Sequence, residues 1–341
     1  MQNKIMQKTR LLNAAGDIDN PGYATKSYFE YSKQAIKARK TRIKEWDYYY
    51  VGNEHYGIAL TIADNHYMGL ISASLLNFDE KTQITRSLMI WLPMGKLNLP
   101  ENSDEGVVSF KNKKVEMTFS TKNKFRKIAC LFKNFERNED LVIEIELEET
   151  YKDKMVIATP FAKRKHFYLN EKINGLSPNG FARLGSKTYL FDSNSYGLLD
   201  WGRGVWTYKN TWYWSSASGM VDNIPFGFNL GYGFGDLRNV TENMLFYNGI
   251  AHKLDDIVFE IPKKGKKDDF MKPWKIHDQA KRVELTFTPV LNRHAKTDVL
   301  IIGSTQDQVF GYFNGFVGLA DGKKLVVQDL FGFAEKVKNK W

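Results

Sequence analysis

Apolar and polar residues alternate with a period of two along most of the chain from Ile43 onward. Short runs rich in β-branched and aromatic residues end at turn residues such as Gly52-Asn53 and Asp64-Asn65. This alternation places successive side chains on opposite faces of half-buried strands. In the first half it predicts strands over 44–51, 55–63, 67–76, 84–92, 107–110, 115–119, 128–132 and 141–147. Strands joined by short polar turns indicate an antiparallel sandwich or barrel.

The second half shows the same pattern. It predicts strands over 182–191, 211–218, 227–231, 243–248, 252–261, 282–289, 309–319 and 324–331. Asp321-Gly322 is the strongest hairpin signal, and we predict a type I′ turn there, which needs positive φ at both central residues. Strands do not alternate with helical segments, which argues against a parallel sheet.

Two runs of comparable strand content predict two β modules in an all-β chain. Residues 1–42 form an extended lead-in with a short helix over 27–38, where Tyr31, Ala35 and Ala38 have helical spacing. The first barrel-like domain is predicted over 43–174 and the second over 175–341, with the boundary in the turn-rich stretch 170–180.

Composition favours a cytoplasmic globular protein. The 341 residues include 14% aromatics, which suit strands and a large core or pocket. The single cysteine, Cys130, excludes an intrachain disulfide and favours a reducing compartment. The first residues lack the apolar run of a signal peptide, and no apolar run is long enough for a transmembrane segment.

The net charge of +10 is scattered over 33–44, 111–127, 163–165 and 263–275. Basic and aromatic residues do not interleave in one stripe, so we do not expect a nucleic-acid partner. Solvated loops and faces explain the charge most simply. Weak association with an anionic membrane surface stays as an alternative.

The segment 200–252 is the densest in potential chemistry, with four of the eight tryptophans between 201 and 214. Trp212 and Trp214 share one strand face while Tyr213 points to the other. Glycines flank Asn229 on one face of the strand 227–231, where the missing side chains indicate a close backbone approach or a cavity.

Two interpretations of this segment stay open. In the structural one, the aromatics are core and Arg203 pairs with Asp200, Asp236 or Glu242. In the functional one, Glu242 and Asp236 are candidate acids whose pKa is raised in an apolar pocket, and tryptophan faces stabilise a developing cation. The candidate ligand-binding residues are Trp201, Arg203, Trp206, Trp212, Trp214, Asn229, Tyr232, Tyr247 and His252.

Motifs for a metal or an organic cofactor are lacking, so we expect neither. The six histidines are dispersed and show no ligand spacing. Gly231-x-Gly233-x-Gly235 lacks the spacing and the following helix of a dinucleotide site.

Several longer motifs carry a family resemblance. They are Leu11-Leu12-Asn13, Pro21-Gly22-Tyr23, IKEWDYY over 43–49, DWGRG over 200–204, WYW over 212–214, GFNLGYG over 227–233, TEN over 241–243, YNG over 247–249, HKL over 252–254, Phe310-Gly311, Asp321-Gly322 and GFAE over 332–335. Through them nearly the whole chain resembles the domain of unknown function 2804 family. That family has a distant likeness to lipocalin-like double-barrel proteins, which include carotenoid hydratases and tocopherol cyclases. The resemblance implies two calycin-type antiparallel barrels, or strongly curved sheets, packed together.

The function that we expect is binding of a small, mostly apolar or amphipathic molecule, lipid-like or isoprenoid-like, in an aromatic-lined pocket. The first alternative is an acid–base enzyme, a hydratase, cyclase or isomerase, acting on such a molecule. The second is a carbohydrate-binding protein, because tryptophan faces beside Asp, Asn and Arg also suit sugars. A closed apolar tunnel favours the first two, and an open aromatic groove favours the third.

Overall fold

The computed structural model describes residues 2–299 and 302–340, and these are almost entirely strands. The first group of strands is β1 (Thr9–Arg10), β2 (Gly22–Ala24), β3 (Phe29–Glu30), β4 (Ile43–Gly52), β5 (Tyr56–Asp64), β6 (Met68–Asn77), β7 (Thr82–Trp91), β8 (Gly106–Lys111), β9 (Val115–Lys122), β10 (Phe125–Glu136), β11 (Glu139–Glu149), β12 (Met155–Pro160), β13 (Phe167–Leu184), β14 (Lys187–Phe191) and β15 (Tyr196–Val205). The second group is β16 (Lys209–Val221), β17 (Ile224–Tyr232), β18 (Met244–Tyr247), β19 (Ile250–Lys253), β20 (Ile257–Glu260), β21 (Lys263–Lys264), β22 (Lys267–Asp268), β23 (Trp274–Asp278), β24 (Val283–Val299), β25 (Ile302–Gly318) and β26 (Lys324–Lys340).

Helical structure in the described ranges is limited to two 3-10 turns, Lys33–Ala35 and Lys40–Arg42. Neither turn is long and apolar enough to cross a membrane. Of the helix predicted over 27–38, only the 3-10 turn Lys33–Ala35 is present. The start of this segment instead forms β3, whose backbone pairs with β1.

Thirteen strands form the first sheet, in the order β7-β6-β5-β4-β15-β13-β11-β10-β9-β8, with β12, β14 and β2 joined at β13 and β12. Its strands pair antiparallel and curve strongly into a half-barrel. The inner face encloses an apolar core that includes Leu60, Met117, Ile143 and Leu169. The alternation of apolar and polar residues in the sequence produces this one-sided burial.

Nine strands form the second sheet, in the order β19-β18-β17-β16-β26-β25-β24-β23-β20. It encloses a separate core built around Phe226, Phe228, Trp274 and Phe313. The fold is therefore all-β, with two strongly curved antiparallel half-barrel sheets as the resemblance implied.

The two sheets meet through side chains that point away from their own cores. On β4, Tyr49 lies in the first core, whereas Tyr48 and Tyr50 contact the second sheet. Tyr50 packs against Phe310 and Phe333 with ring centroids 5.2 and 6.0 Å apart. We call this region the inter-sheet layer; it includes Tyr48, Tyr50, Leu198, Trp214, Leu291, Phe310 and Phe333.

The eight strands predicted in the first half correspond to β4–β11. The pattern did not predict β1–β3, β12, most of β13, β15 or β21–β23. The stretch around Asn174, taken as a turn-rich boundary, lies inside the 18-residue β13. The chain passes from the first sheet to the second between Val205 and Lys209.

The hairpin at Asp321-Gly322 is present between β25 and β26, but the predicted type I′ turn is wrong. Only Gly322 of the two residues has a positive φ, +90°. The loop is closed by hydrogen bonds from the Leu319 amide to the Lys323 carbonyl, 2.8 Å, and from the Gly322 amide to the Leu319 carbonyl, 3.1 Å. The loop is longer than two residues, so one left-handed residue is sufficient.

Candidate functional site

A buried ionic group lies where β13 and β15 face the second sheet. Lys172 Nζ on β13 is 2.9 Å from Asp200 Oδ1 on β15 and 3.6 Å from the centroid of the Trp214 ring. Asn170 Nδ2 donates to the same Asp200 oxygen at 2.6 Å. Period two on each strand places these side chains on the face opposite the first core. A cation thus lies between a carboxylate of one sheet and an aromatic ring of the other.

Glu242 approaches this group from the loop between β17 and β18. The Trp214 indole donates to Asn229 Oδ1 at 2.7 Å, and Asn229 Nδ2 donates to the Glu242 backbone carbonyl at 2.8 Å. The same amide lies 3.5 Å from Glu242 Oε2. Burial raises the pKa of the Glu242 carboxyl, and the charge of Lys172 opposes that rise. Trp214, Asn229 and Glu242, all sequence candidates, therefore belong to one connected cluster.

Glu335 on β26 is a second buried carboxyl in the inter-sheet layer, and the sequence analysis missed it. Trp212 Nε1 donates to Oε1 at 3.0 Å, and Gln306 Nε2 donates to Oε2 at 3.2 Å. Burial raises the pKa of Glu335 to about 7, although the hydrogen bonds from Trp212 and Gln306 each lower it. The available signal was the alternation Phe331, Phe333, Glu335, which continues an aromatic strand face with a carboxylate. Glu335 is thus poised to gain or lose a proton near neutral pH.

An aromatic cluster extends the layer toward one end of the sheets. Trp206 packs 4.9 Å from Trp46 and 4.6 Å from Phe234, measured between ring centroids. Tyr168 and Trp212 lie 4.6 and 5.2 Å from the same Phe234 ring. Both sheets contribute rings, so this cluster joins them. The candidates Trp206, Trp212 and Trp214 all lie in the layer between the sheets.

An open cleft of about 570 Å³ lies at the other end of the layer. Its wall carries the apolar side chains of Tyr50, Leu198, Leu330, Phe331 and Phe333. Its rim carries Asn53, Asp192, Asn194, Ser216 and Ser218. The Phe333 ring also packs 4.8 Å from Trp214, so one residue separates the cleft from the ionic group. This volume lies in the range of small-molecule sites.

Tyr50 is the most unusual residue of the cleft wall. Its hydroxyl is buried and has no hydrogen-bond partner among the described residues. A Cβ at Gly52 would collide with this hydroxyl, so glycine is required there for the phenol to occupy its position. An unpaired buried hydroxyl reduces stability.

Comparison with known protein families finds one family whose model matches almost the whole chain. The model of the family described as domain of unknown function 2804 matches residues 2–341. The chain belongs to this family. A search of curated proteins found no match.

Solved structures with the same fold add a comparison for this DUF2804 protein. Kievitone hydratase from Nectria haematococca matches with a TM-score of 0.51 and 11% identity, over 87% of this chain and 88% of that one. An ATTH protein from Nitrosomonas europaea matches with a TM-score of 0.53 and 9% identity, over 90% and 96%. A structure of CghA with Sch210972 matches with a TM-score of 0.48 and 9% identity, over 97% of each chain. These neighbours are lipocalin-like double-barrel proteins, and the likeness shows the fold alone.

Arg203 and Trp201 of this DUF2804 chain lie on the other face of β15, inside the first half-barrel. Arg203 Nη1 is 2.9 Å from Asp47 Oδ1, and Nε is 3.6 Å from Glu45 Oε1. The guanidinium lies 4.0 Å from the centroid of the Trp201 ring and also donates to the Pro100 carbonyl. The structure therefore separates these two candidates from Trp214 and Glu242.

Three of the remaining candidates, Asp236, Tyr247 and His252, lie near the surface. Asp236 forms an exposed pair with Arg238, whose hydrogen bonds lower the pKa of Asp236. Tyr247 accepts a hydrogen bond from Lys323 at its hydroxyl, and His252 Nδ1 accepts one from the Ala320 amide. Tyr232 stacks on Tyr213, 4.6 Å away, on the core side of the second sheet.

Metal-ligating side chains do not cluster in residues 2–299 and 302–340. No three His, Cys, Asp or Glu residues converge there as a metal site would require. The described residues of the inter-sheet layer offer carboxyl, ammonium, amide and indole groups.

Proposed function

We propose that this protein binds a small, mostly apolar, lipid-like or isoprenoid-like molecule in the cleft between its two sheets. The observation that carries this proposal is the apolar wall of the 570 Å³ cleft, which continues into the inter-sheet layer. Aromatic and aliphatic groups supply most of the binding energy for such a molecule. The polar rim orients its oxygen atoms.

The first experiment asks what the purified protein carries. Native mass spectrometry of the intact chain, followed by organic extraction, is expected to recover one apolar or amphipathic compound in substoichiometric or stoichiometric amount. Recovery of an oligosaccharide instead would favour carbohydrate binding. Recovery of nothing from several expression hosts, together with no binding of added farnesol, would contradict the proposal.

A pair of variants localises the bound molecule. Asn194 lies exposed on the cleft rim, so Asn194→Trp should narrow the mouth without disturbing either core. Ser109 is exposed on β8, away from the cleft, and Ser109→Trp is the matched control. We expect the co-purified compound to fall at least about fivefold in Asn194→Trp and to stay unchanged in Ser109→Trp. Equal retention in both variants would place the ligand elsewhere.

A second candidate function is acid–base catalysis on the bound molecule, and the observation that favours it is the pKa of Glu335, about 7. A protonated carboxyl can transfer its proton to a carbon–carbon double bond, and the resulting carboxylate can take a proton back when water adds or a neighbouring C–H bond breaks. The indole faces of Trp212 and Trp214 would stabilise the cation between these steps. Kievitone hydratase, a fold neighbour, is by name a hydratase, so the fold accommodates such chemistry.

The test of this second function uses the extracted compound as substrate. Glu335→Gln and Glu242→Gln should each lower its conversion about 10²-fold or more if the carboxyl is the acid. The control is Glu116→Gln, an exposed carboxyl on β9. Unchanged turnover in either buried variant would remove that residue from the mechanism.

A further inference from the structure

Three large apolar side chains project into solvent where the edge strand β7 ends. Trp91 is 61% exposed, Leu92 64% and Met94 39%. We call these residues the apolar tip. Trp91 is the exposed tryptophan among those that the structure describes, whereas the others are buried or half-buried. A contiguous patch of this kind on a protein surface indicates an interaction site.

The backbone holds the tip in a defined, outward conformation. Leu92 and Met94 both have left-handed φ, +51° and +53°, which is rare for side chains of this size. The Leu92 amide donates to the Tyr67 carbonyl at 3.0 Å, and the Met94 amide donates to the His66 carbonyl at 2.9 Å. Strained residues persist when the surrounding structure requires them, and they concentrate at functional sites.

A basic segment of the chain lies next to the base of the tip. Residues 31–44 contain six basic side chains and no acidic one: Lys33, Lys37, Arg39, Lys40, Arg42 and Lys44. Burial lowers the pKa of His66, which packs beneath the tip. The Asp64 carboxylate, 3.6 Å from its ring, opposes this shift, and the charges of Lys44, Lys33 and Lys40 add to it. Arg39, Lys40 and Lys96 are exposed. The carboxylate of Glu101 in this region is already engaged by the Lys33 amide.

We propose that the apolar tip and its basic surroundings form a peripheral membrane-binding site for anionic lipid surfaces. Tryptophan, leucine and methionine insert into the headgroup–acyl boundary, while lysine and arginine attract the anionic headgroups. A second copy of this chain fits the patch poorly, because the basic rims of two copies would repel each other. The tip lies beyond His66 at one end of β5, and the cleft lies at the Tyr56 end, so the two sites are independent.

The experiment measures sedimentation of the full chain with vesicles of 70% phosphatidylcholine and 30% phosphatidylserine, and with pure phosphatidylcholine vesicles. We expect binding to the anionic vesicles, weakening as salt rises because the attraction is screened. The double variant Trp91→Ala/Leu92→Ser should lower the bound fraction at least about fivefold. Leu190→Ser/Val326→Ser, which removes two other exposed apolar side chains, should leave it unchanged.

Charge reversal provides a matched pair with the same net charge. Arg39→Glu/Lys40→Glu should weaken partitioning at least about tenfold, since each basic residue near an anionic surface contributes strongly. Lys113→Glu/Lys114→Glu reverses two exposed lysines in the turn between β8 and β9 and should weaken it far less. Equal losses in the two variants would show attraction by net charge alone and would overturn the proposed site.

Fluorescence distinguishes insertion from loose attraction. Vesicle addition should shift the tryptophan emission of the wild type to shorter wavelength, and Trp91→Phe should abolish the shift while it retains binding. Failure of the wild type to bind anionic vesicles would overturn the proposal. A change of sedimentation coefficient confined to Trp91→Ala/Leu92→Ser, without vesicle binding, would do the same and assign the patch to self-association. Asn194→Trp should bind vesicles normally, so failure of the cleft proposal does not affect this test.

Discussion

The inner face of the first sheet and the inter-sheet layer bury carboxyl groups in different ways. On the inner face, Arg203 is 2.9 Å from Asp47 Oδ1 and 3.6 Å from Glu45 Oε1, and Lys33 reaches the other Glu45 oxygen at 3.2 Å. In the inter-sheet layer, Glu242 and Glu335, which the second sheet and its β17–β18 loop contribute, accept hydrogen bonds from neutral amide and indole groups. Burial raises the pKa of all four carboxyls, but cations contact only the inner two directly.

This difference distinguishes carboxyls that have a direct cationic partner from carboxyls that have only neutral hydrogen-bond donors. Direct contact with the Arg203 guanidinium opposes the rise in pKa of Glu45 and Asp47 and links the strands that carry these residues. Among neutral donors in the apolar layer, burial raises the pKa of Glu242 and raises the pKa of Glu335 to about 7, and perturbed groups of this kind are enriched at functional sites. The Arg203 network therefore serves stability, and the inter-sheet layer is where we propose that ligand binding takes place.

The largest expected effect is on the inner face. Arg203→Ala leaves Asp47 and Glu45 buried without their cation, which should lower the free energy of unfolding by about 3–5 kcal/mol. Denaturant unfolding followed by far-ultraviolet circular dichroism measures this loss. Arg137→Ala, at an exposed side chain, is the control and should leave the midpoint unchanged. A loss below about 1 kcal/mol in Arg203→Ala would show that the network is not structural.

Glu335 should make stability depend on pH with a defined sign. Its pKa is about 7 when folded and 4.5 for the ordinary carboxyl, so the folded state binds the extra proton between these values. The stabilisation is complete below pH 4.5 and is lost as pH rises through 7, about 3 kcal/mol in all. The difference in unfolding free energy between wild type and Glu335→Gln should fall over this interval. A flat difference would mean that the carboxyl does not titrate there.

Two tyrosines on β4 give a smaller contrast. Tyr48 donates its hydroxyl hydrogen bond to Gln308 Oε1 at 3.2 Å, so Tyr48→Phe should lower the unfolding free energy by about 1 kcal/mol. Tyr50→Phe removes an unpaired hydroxyl and should be neutral or slightly stabilising in ligand-free protein. Thermal unfolding of the two variants, compared with the wild type, measures this difference in stability. Equal destabilisation would show that the Tyr50 hydroxyl is bonded within the protein.

The smallest effect is expected at Asp236. Its carboxylate pairs with Arg238 at the surface, so Asp236→Asn should change the unfolding free energy by less than about 0.5 kcal/mol and leave ligand retention unchanged. Extraction of the variant measures retention. A loss of the co-purified compound would show that Asp236 contributes to ligand binding.

Sequence pattern predicts the β4–β11 meander because each of these strands has one apolar face. It fails at β13 because polar side chains are buried on both faces: Glu171 pairs with Lys154 at 2.7 Å on one face, and Lys172 pairs with Asp200 on the other. A period-two hydrophobic signal cannot appear where partners from two different sheets satisfy the polar groups.

The sequence predicts only those parts of the candidate site whose residues lie close together along the chain. Trp206, Trp212, Trp214 and Glu242 were found because they lie close together in sequence. Lys172 and Glu335 were missed because strand pairing across long sequence separations brings them to the layer. Arg203 is adjacent in sequence to these residues but lies on the opposite face of β15, so sequence proximity placed it wrongly beside them.

The central claim, that the ligand enters between the sheets, is tested most directly by the indole N–H resonances in a ¹H–¹⁵N correlation spectrum, assigned with Trp→Phe variants. On titration with farnesol, the Trp214 resonance should shift, because its ring packs against the cleft-wall residue Phe333. The resonances of Trp201 and Trp274, in the two separate half-barrel cores, should stay in place. A shift of Trp201 or Trp274 without one of Trp214, or no shift of any indole at saturating farnesol, would contradict the account.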